Sequence, residues 1–216
     1  MKPYFWAAAA TTLLLAMTPF CGEAGMSTHA AETASTVASV GKPAPAFTLT
    51  DTTGKKRSLS DANGKFLVME WTNYDCPFVR KHYDSGNMQK LQKTYTGKGV
   101  VWFSICSSAD GRQGNYPTAK LTELMKKNNA VPTAYLLDPD GAVGKSYGAK
   151  ATPHMFVINP KGVLIYAGAI DDNNSADISE KASTNYVAKS LDEAMANKPV
   201  SVTTAPAYGC SVKYAK

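Results

Sequence analysis

Phe66-Leu67-Val68-Met69-Glu70-Trp71-Thr72-Asn73-Tyr74-Asp75-Cys76-Pro77 is the stretch whose reading decides the fold. Its first six residues form a nearly continuous apolar run of strand length, which suits a central strand buried on both faces. Residues 72–75 then read as a loop. Pro77 fits the first turn of a helix, where its missing N–H would have had no partner anyway. Phe78, Val79, Tyr83, Met88, Leu91 and Tyr95 continue at roughly helical spacing. Gly86 marks a kink in that helix, and Gly97 and Gly99 stop it. The segment therefore runs strand, loop, cysteine, helix.

Upstream, residues 47–49 and 57–59 alternate around the turn Asp51-Thr52-Thr53-Gly54, a β-hairpin signal. Downstream, residues 100–105 form a second buried strand and residues 107–116 a polar loop. Pro117 opens a helix to about Lys127, and residues 134–137 form a third strand. A short helix covers residues 142–147. Residues 155–158 and 163–166 flank the turn Asn159-Pro160-Lys161-Gly162, a second hairpin. A last amphipathic helix is expected over residues 179–196. Strands alternating with helices, closed by a hairpin and a helix, predict an α/β fold with a central mixed sheet flanked by helices and an N-terminal β-hairpin.

A chain of 216 residues with 44% hydrophobic and 19% charged residues holds one domain plus accessories and can bury a core without disulfides. The net charge is +6, but the basic residues are scattered. Their longest run, Lys55-Lys56-Arg57, lies in the first hairpin, so no nucleic-acid partner is expected. At the N-terminus, Lys2 precedes an apolar run over residues 6–17, followed by small-residue cleavage candidates at Gly22-Glu23-Ala24 and Thr28-His29-Ala30. This is a secretory signal pattern, too short for a comfortable membrane span. The expected organisation is a signal peptide over 1–30, a linker over 31–41, the folded domain over 42–198 and a tail over 199–216 carrying Cys210. No stable membrane association is expected. Cleavage near Ala30 leaves Cys76, Cys106 and Cys210, an odd number of which at most two pair within one chain.

Cys76 is the strongest candidate for chemistry. A thiolate at a helix N-terminus is stabilised by the helix dipole, and Arg80 and Lys81, one turn on, add positive charge if they fold back toward the sulfur. Glu70 is a carboxylate in an apolar strand; buried, it would titrate high and could shuttle protons to Cys76. His82 and His154 are a candidate base or metal ligand, or simply structural. Trp71, Tyr74 and Phe78 either wall a groove or belong to the core. No phosphate loop, Ser-His-Asp pattern or paired-cysteine metal motif is present, so no metal or cofactor is expected.

In order along the chain come Gly41-Lys42-Pro43-Ala44-Pro45-Ala46-Phe47 with its hairpin, Trp71…Cys76-Pro77, Leu137-Asp138-Pro139-Asp140-Gly141, and Gly148…Thr152-Pro153 before the second hairpin. Over residues 41–196 this series resembles the thioredoxin superfamily, and within it the peroxiredoxin-like redoxins of the alkyl hydroperoxide reductase and thiol-specific antioxidant type. The resemblance implies a thioredoxin-like fold and an oxidoreductase that attacks a disulfide or a peroxide through Cys76, with an external thiol as reductant. It implies a cis peptide bond before Pro153 and a substrate site formed by Thr152, Pro153 and Trp71. It also makes Cys210 a candidate resolving cysteine, with Cys106 as another. Val79 stands where a dithiol thioredoxin has its second cysteine, and Pro153 where a peroxiredoxin has its arginine. The alternative is a binding module whose Cys76 holds a protein partner or a metal without cycling. An export signal on such a chain points to the periplasm.

Overall fold

The computed structural model describes Met1 and residues 37–216, so the expected signal peptide and Cys21 lie outside the described residues. β1 (Thr48–Asp51) and β2 (Lys56–Ser58) form the first hairpin, with Thr50 opposite Lys56. Asp51 closes it: its carboxylate accepts the backbone N–H groups of Thr53 and Lys55 and pairs with Arg57 at 2.9 Å. β3 (Leu67–Trp71) follows, and all five of its side chains are buried. Then come α1 (Pro77–Asp84), α2 (Asn87–Gly97), β4 (Val101–Cys106), α3 (Thr118–Lys127), β5 (Ala134–Leu137) and α4 (Ala142–Tyr147). β6 (Ala151–Thr152), β7 (His154–Ile158), β8 (Leu164–Gly168), α5 (Tyr186–Met195) and β9 (Cys210–Ser211) complete the chain.

Seven strands make one mixed sheet in the order β2-β1-β5-β4-β3-β7-β8. β3, β4 and β5 run parallel, while β1, β7 and β8 pair antiparallel with their neighbours. The central strands send alternate side chains to opposite faces, as a pleated strand must. Leu67, Met69, Trp71, Phe103 and Ile105 enter one apolar cluster, which also holds Phe47, Tyr147 and Phe156. Val68 and Trp102 enter the other, with Tyr83, Leu91, Leu121 and Leu191 from the helices. The expected mixed sheet, flanking helices and hairpin are therefore all present.

Four expectations change. The single helix after Cys76 is two helices, because Gly86 adopts φ +75°, a left-handed conformation that breaks the hydrogen-bond ladder. The last helix starts at Tyr186, not at 179. Asn185 caps it by accepting the Ala188 N–H at 2.9 Å; just before it Asp172 accepts the Ser183 and Thr184 N–H groups at 2.9 and 3.0 Å, and residues 171–179 make successive side-chain-to-backbone turns through Asp171, Asn173 and Asp177. The end of the expected linker is docked: Ala38 donates to the Ser146 carbonyl and Gly41 to that of Leu164, both at 2.8 Å. Residues 199–216 are not a separate tail. They belong to the same compact unit as residues 37–198, and β9 pairs with β6 in a small second sheet.

Candidate active site

The site forms where the loop after β3 meets the loop before β7. Asn73 shapes the first loop: its side-chain oxygen accepts the Asp75 N–H, and its carbonyl accepts the Cys76 N–H, both at 2.9 Å. Cys76 is thereby held in extended backbone conformation at the N-cap of α1, with Pro77 in the first turn. β7 pairs with β3, placing His154 opposite Trp71, so Thr152 and Pro153 arrive beside Cys76. The Thr152–Pro153 bond is cis. The buried Cys76 thiol donates to the Thr152 carbonyl at 3.1 Å.

A third element reaches the same place from the far end of the chain. β9 pairs antiparallel with β6, setting Cys210 opposite Thr152 and Ser211 opposite Ala151. Gly209 makes the approach: at φ +121°, a Cβ there would lie 2.1 Å from the Thr152 carbonyl oxygen, so no other residue fits without displacing the strand. Cys210 therefore faces Cys76, and the two sulfurs are pushed in opposite directions. Burial works against the Cys76 thiolate, but the Cys210 thiol, the Thr152 hydroxyl and the N–H groups of Cys210 and Val79 outweigh it and hold Cys76 below the usual thiol range. Burial and the neighbouring Cys76 push Cys210 up to about 11, against a weaker pull from Lys213 and Arg80.

The other sequence candidates separate into those near the sulfurs and those that are not. Arg80 is exposed, and its charge acts on Cys210. Lys81 does not fold back toward Cys76. Its ammonium is drawn into the 171–179 turns, donating to the carbonyls of Asn173 and Ser175 at 2.7 Å each, because those inward-facing carbonyls need a donor. Trp71 is no groove wall. It is fully buried, packs on Tyr147 and Phe156, and donates its indole N–H to Ser107 at 2.9 Å. Its strand position points it into the core cluster on the α4 side of the sheet, away from α1, α2, α3 and α5. Tyr74 is also core, between Tyr83 and Tyr135, whereas Phe78 is half-buried beside Tyr208.

Glu70 is completely buried, and burial raises its carboxyl above the ordinary 4.5. Trp102 at 2.9 Å, Ser104 at 2.9 Å, Tyr83 at 3.0 Å and Gln92 at 3.1 Å all donate to it. These bonds run into β4, α1 and α2 rather than to Cys76. Cys106 is buried, its thiol 3.5 Å from the Gly114 carbonyl. His154 accepts the Lys150 N–H, and burial lowers it to about 4. Among the described residues no group of three or more His, Cys, Asp or Glu side chains could hold a metal ion.

Sequence reasoning named His82 but missed the partners that hold it, Tyr208, Asp171 and Asn87. The Tyr208 hydroxyl donates to Asp171 at 2.5 Å and meets His82 Nε2 at 3.0 Å, and Asn87 meets the other ring nitrogen of His82 at 2.9 Å. Burial, with a further push from Lys81, lowers His82 to about 3, so its ring is neutral. The Lys81 ammonium lies 5.2 Å from the centre of the Tyr208 ring. This cluster anchors the strand that carries Cys210. The sequence signal for Tyr208 was its place just before Gly209-Cys210.

Residues 39–187 match the model of the Redoxin family. The chain is 28% identical over 128 residues to the thiol-disulfide oxidoreductase ResA of Bacillus subtilis, spanning 59% of this chain and 65% of that protein. It is 27% identical over 124 residues to the thioredoxin-like protein YneN of the same organism, covering 57% and 68% of the two chains. Among solved structures, an uncharacterised conserved protein of Geobacillus kaustophilus superposes with a TM-score of 0.74 at 25% identity, covering 82% of this chain and 93% of that one. A hypothetical protein of Sinorhizobium meliloti superposes with a TM-score of 0.72 at 24% identity over 82% and 95% of the chains. The Redoxin match spans β3, Cys76 at the start of α1 and the Thr152–Pro153 loop. The match to ResA covers just under two thirds of that protein.

Proposed function

The chain belongs to the Redoxin family, and on that premise we propose that it is an exported thiol-disulfide oxidoreductase in which Cys76 is the nucleophile and Cys210 the resolving thiol. The observation that carries this reading is the pairing of Cys210 with Thr152, the residue whose carbonyl holds the Cys76 thiol. The Cys76 thiolate attacks one sulfur of a substrate disulfide; a new S–S bond forms, and the other substrate sulfur leaves as a thiolate. Cys210, once deprotonated, attacks the Cys76 sulfur and releases the second substrate thiolate. The product is a Cys76–Cys210 disulfide that an external thiol reductant returns to two thiols. The opposite displacements of the two sulfurs suit these roles, since the lower one attacks while the higher one keeps its proton until called on.

A hydroperoxide enters the same cycle. The Cys76 thiolate takes the terminal oxygen, an alcohol or water leaves, and Cys210 condenses with the sulfenic acid to give the same disulfide and water. Thr152 and Pro153 form the floor of the site, and Glu70 fixes the strand beneath it. The N-terminal apolar run supports export, and among the described residues no helix is long and apolar enough to cross a membrane.

Disulfide mapping by mass spectrometry, before and after one equivalent of bis(2-hydroxyethyl) disulfide or hydrogen peroxide, tests the reading. A new Cys76–Cys210 bond is expected; a Cys76 that stays a thiol overturns it. Cys76→Ser should abolish turnover, and Cys210→Ser should leave a trapped mixed disulfide.

A further inference from the structure

An unpaired strand edge beside a reactive thiol can take an incoming extended chain, since its backbone groups can complete a ladder. Here that edge is taken. The backbone of Thr152 faces Cys210, and that of Ala151 faces Ser211. Gly209 lies so close to the Thr152 carbonyl that a second chain has no room there, and Cys76 beneath is fully buried.

The occupying strand is fastened on both sides. Before it, Ala205 exchanges backbone hydrogen bonds with Ala167 and Ala169 across Gly168, and Tyr208 is seated on Asp171 and His82. After it, Val212 donates to the Lys150 carbonyl, Ala109 to that of Lys213, and the Tyr214 hydroxyl to that of Ala149. An incoming polypeptide would have to undo these bonds together, whereas a small molecule needs only a local opening beside Cys210, which is partly exposed.

We infer that residues 205–214 are a resident occupant of the polypeptide edge, restricting Cys76 to low-molecular-weight disulfides and hydroperoxides and excluding protein disulfides. This rests on the oxidoreductase reading for its chemistry, but the shield itself is a separate claim.

Two readouts separate the claims. The first compares kcat/KM for bis(2-hydroxyethyl) disulfide and for insulin disulfides in the wild-type chain and in Gly209→Val, which keeps Cys210 but forces the strand off Thr152. The wild type should favour the small disulfide by about a hundredfold, and Gly209→Val should narrow that ratio by about tenfold or more. Tyr208→Phe, which loses only the hydroxyl contacts to Asp171 and His82, should narrow it less. Comparable wild-type rates on both substrates, or a ratio unmoved in both variants, overturn the inference. The second readout needs no turnover: Cys76 modification by iodoacetamide and by a polymer-linked maleimide, located by mass spectrometry. Iodoacetamide should reach Cys76 in wild type and variant, and the bulky maleimide only in Gly209→Val. Equal modification of the wild type by both reagents refutes the shield. If neither disulfide is turned over while the size selectivity of labelling holds, the oxidoreductase reading fails and the shield stands.

Discussion

Cys76 and Cys210 share one environment that moves their protons in opposite directions, and a single atom tests this. Cys210→Ala removes the donor that favours the Cys76 thiolate, so the midpoint of Cys76 alkylation against pH should rise; Cys210→Ser keeps a donor and should move it less. Thiolate ultraviolet absorbance checks both, and an unmoved midpoint would separate the two residues. Glu70 gives a second test. Its folded carboxyl titrates above the unfolded one, so the fold holds its proton more tightly. That contribution is complete below the ordinary 4.5 and is lost as pH rises through the folded value. In Glu70→Gln that part of the slope should vanish, leaving the parts from Asp138 and Asp171. Glu70→Ala, which strands the donors of Trp102, Ser104, Tyr83 and Gln92, should cost about 3–5 kcal/mol in urea unfolding. Sequence made Cys76 and Glu70 visible because each breaks the pattern around it: a nucleophile at a helix start, an acid in an apolar strand. The charge of Lys81 pointed the wrong way, since the carbonyls that capture it are brought near only by the fold.

At the scale of elements, the long apolar runs of β3 and β4 and the turn Asn159-Pro160-Lys161-Gly162 were legible because each carries its own period or punctuation. β6 and β9 were not: a strand of two residues has no period, and its pairing joins segments far apart in sequence. The start of α5 was hidden for another reason. The apolar spacing of Tyr186, Val187, Leu191 and Met195 does not mark where the helix starts; Asp172 takes the N–H groups of Ser183 and Thr184, and the helix begins only where Asn185 can cap it. Asn185→Ala should therefore cost about 1 kcal/mol, read from thermal melts. A similar loss on Gly86→Ala, where a Cβ meets no atom within 4 Å, would report left-handed backbone strain alone.

For the whole molecule, the boundary drawn after residue 198 separated what the fold joins. Val202, Ala205, Tyr208 and Cys210 all pack against the helix-side cluster. Ending the chain at Lys198 should cost about 3–5 kcal/mol, mostly from the lost burial of Tyr208 and Val202, and a urea midpoint unchanged by that truncation would contradict the packing. The sheet also divides the molecule optically. Its two central indoles lie on opposite faces: Trp71 donates to Ser107 within one cluster, and Trp102 donates to Glu70 within the other. Each fluorophore is shielded from water and watches a different layer. If the layers melt together, emission follows one sigmoid; if the helix side loosens first, the Trp102 signal reddens while that of Trp71 stays blue. With Trp6 replaced as well, substituting either central indole with phenylalanine leaves a spectrum that reports on a single side of the sheet.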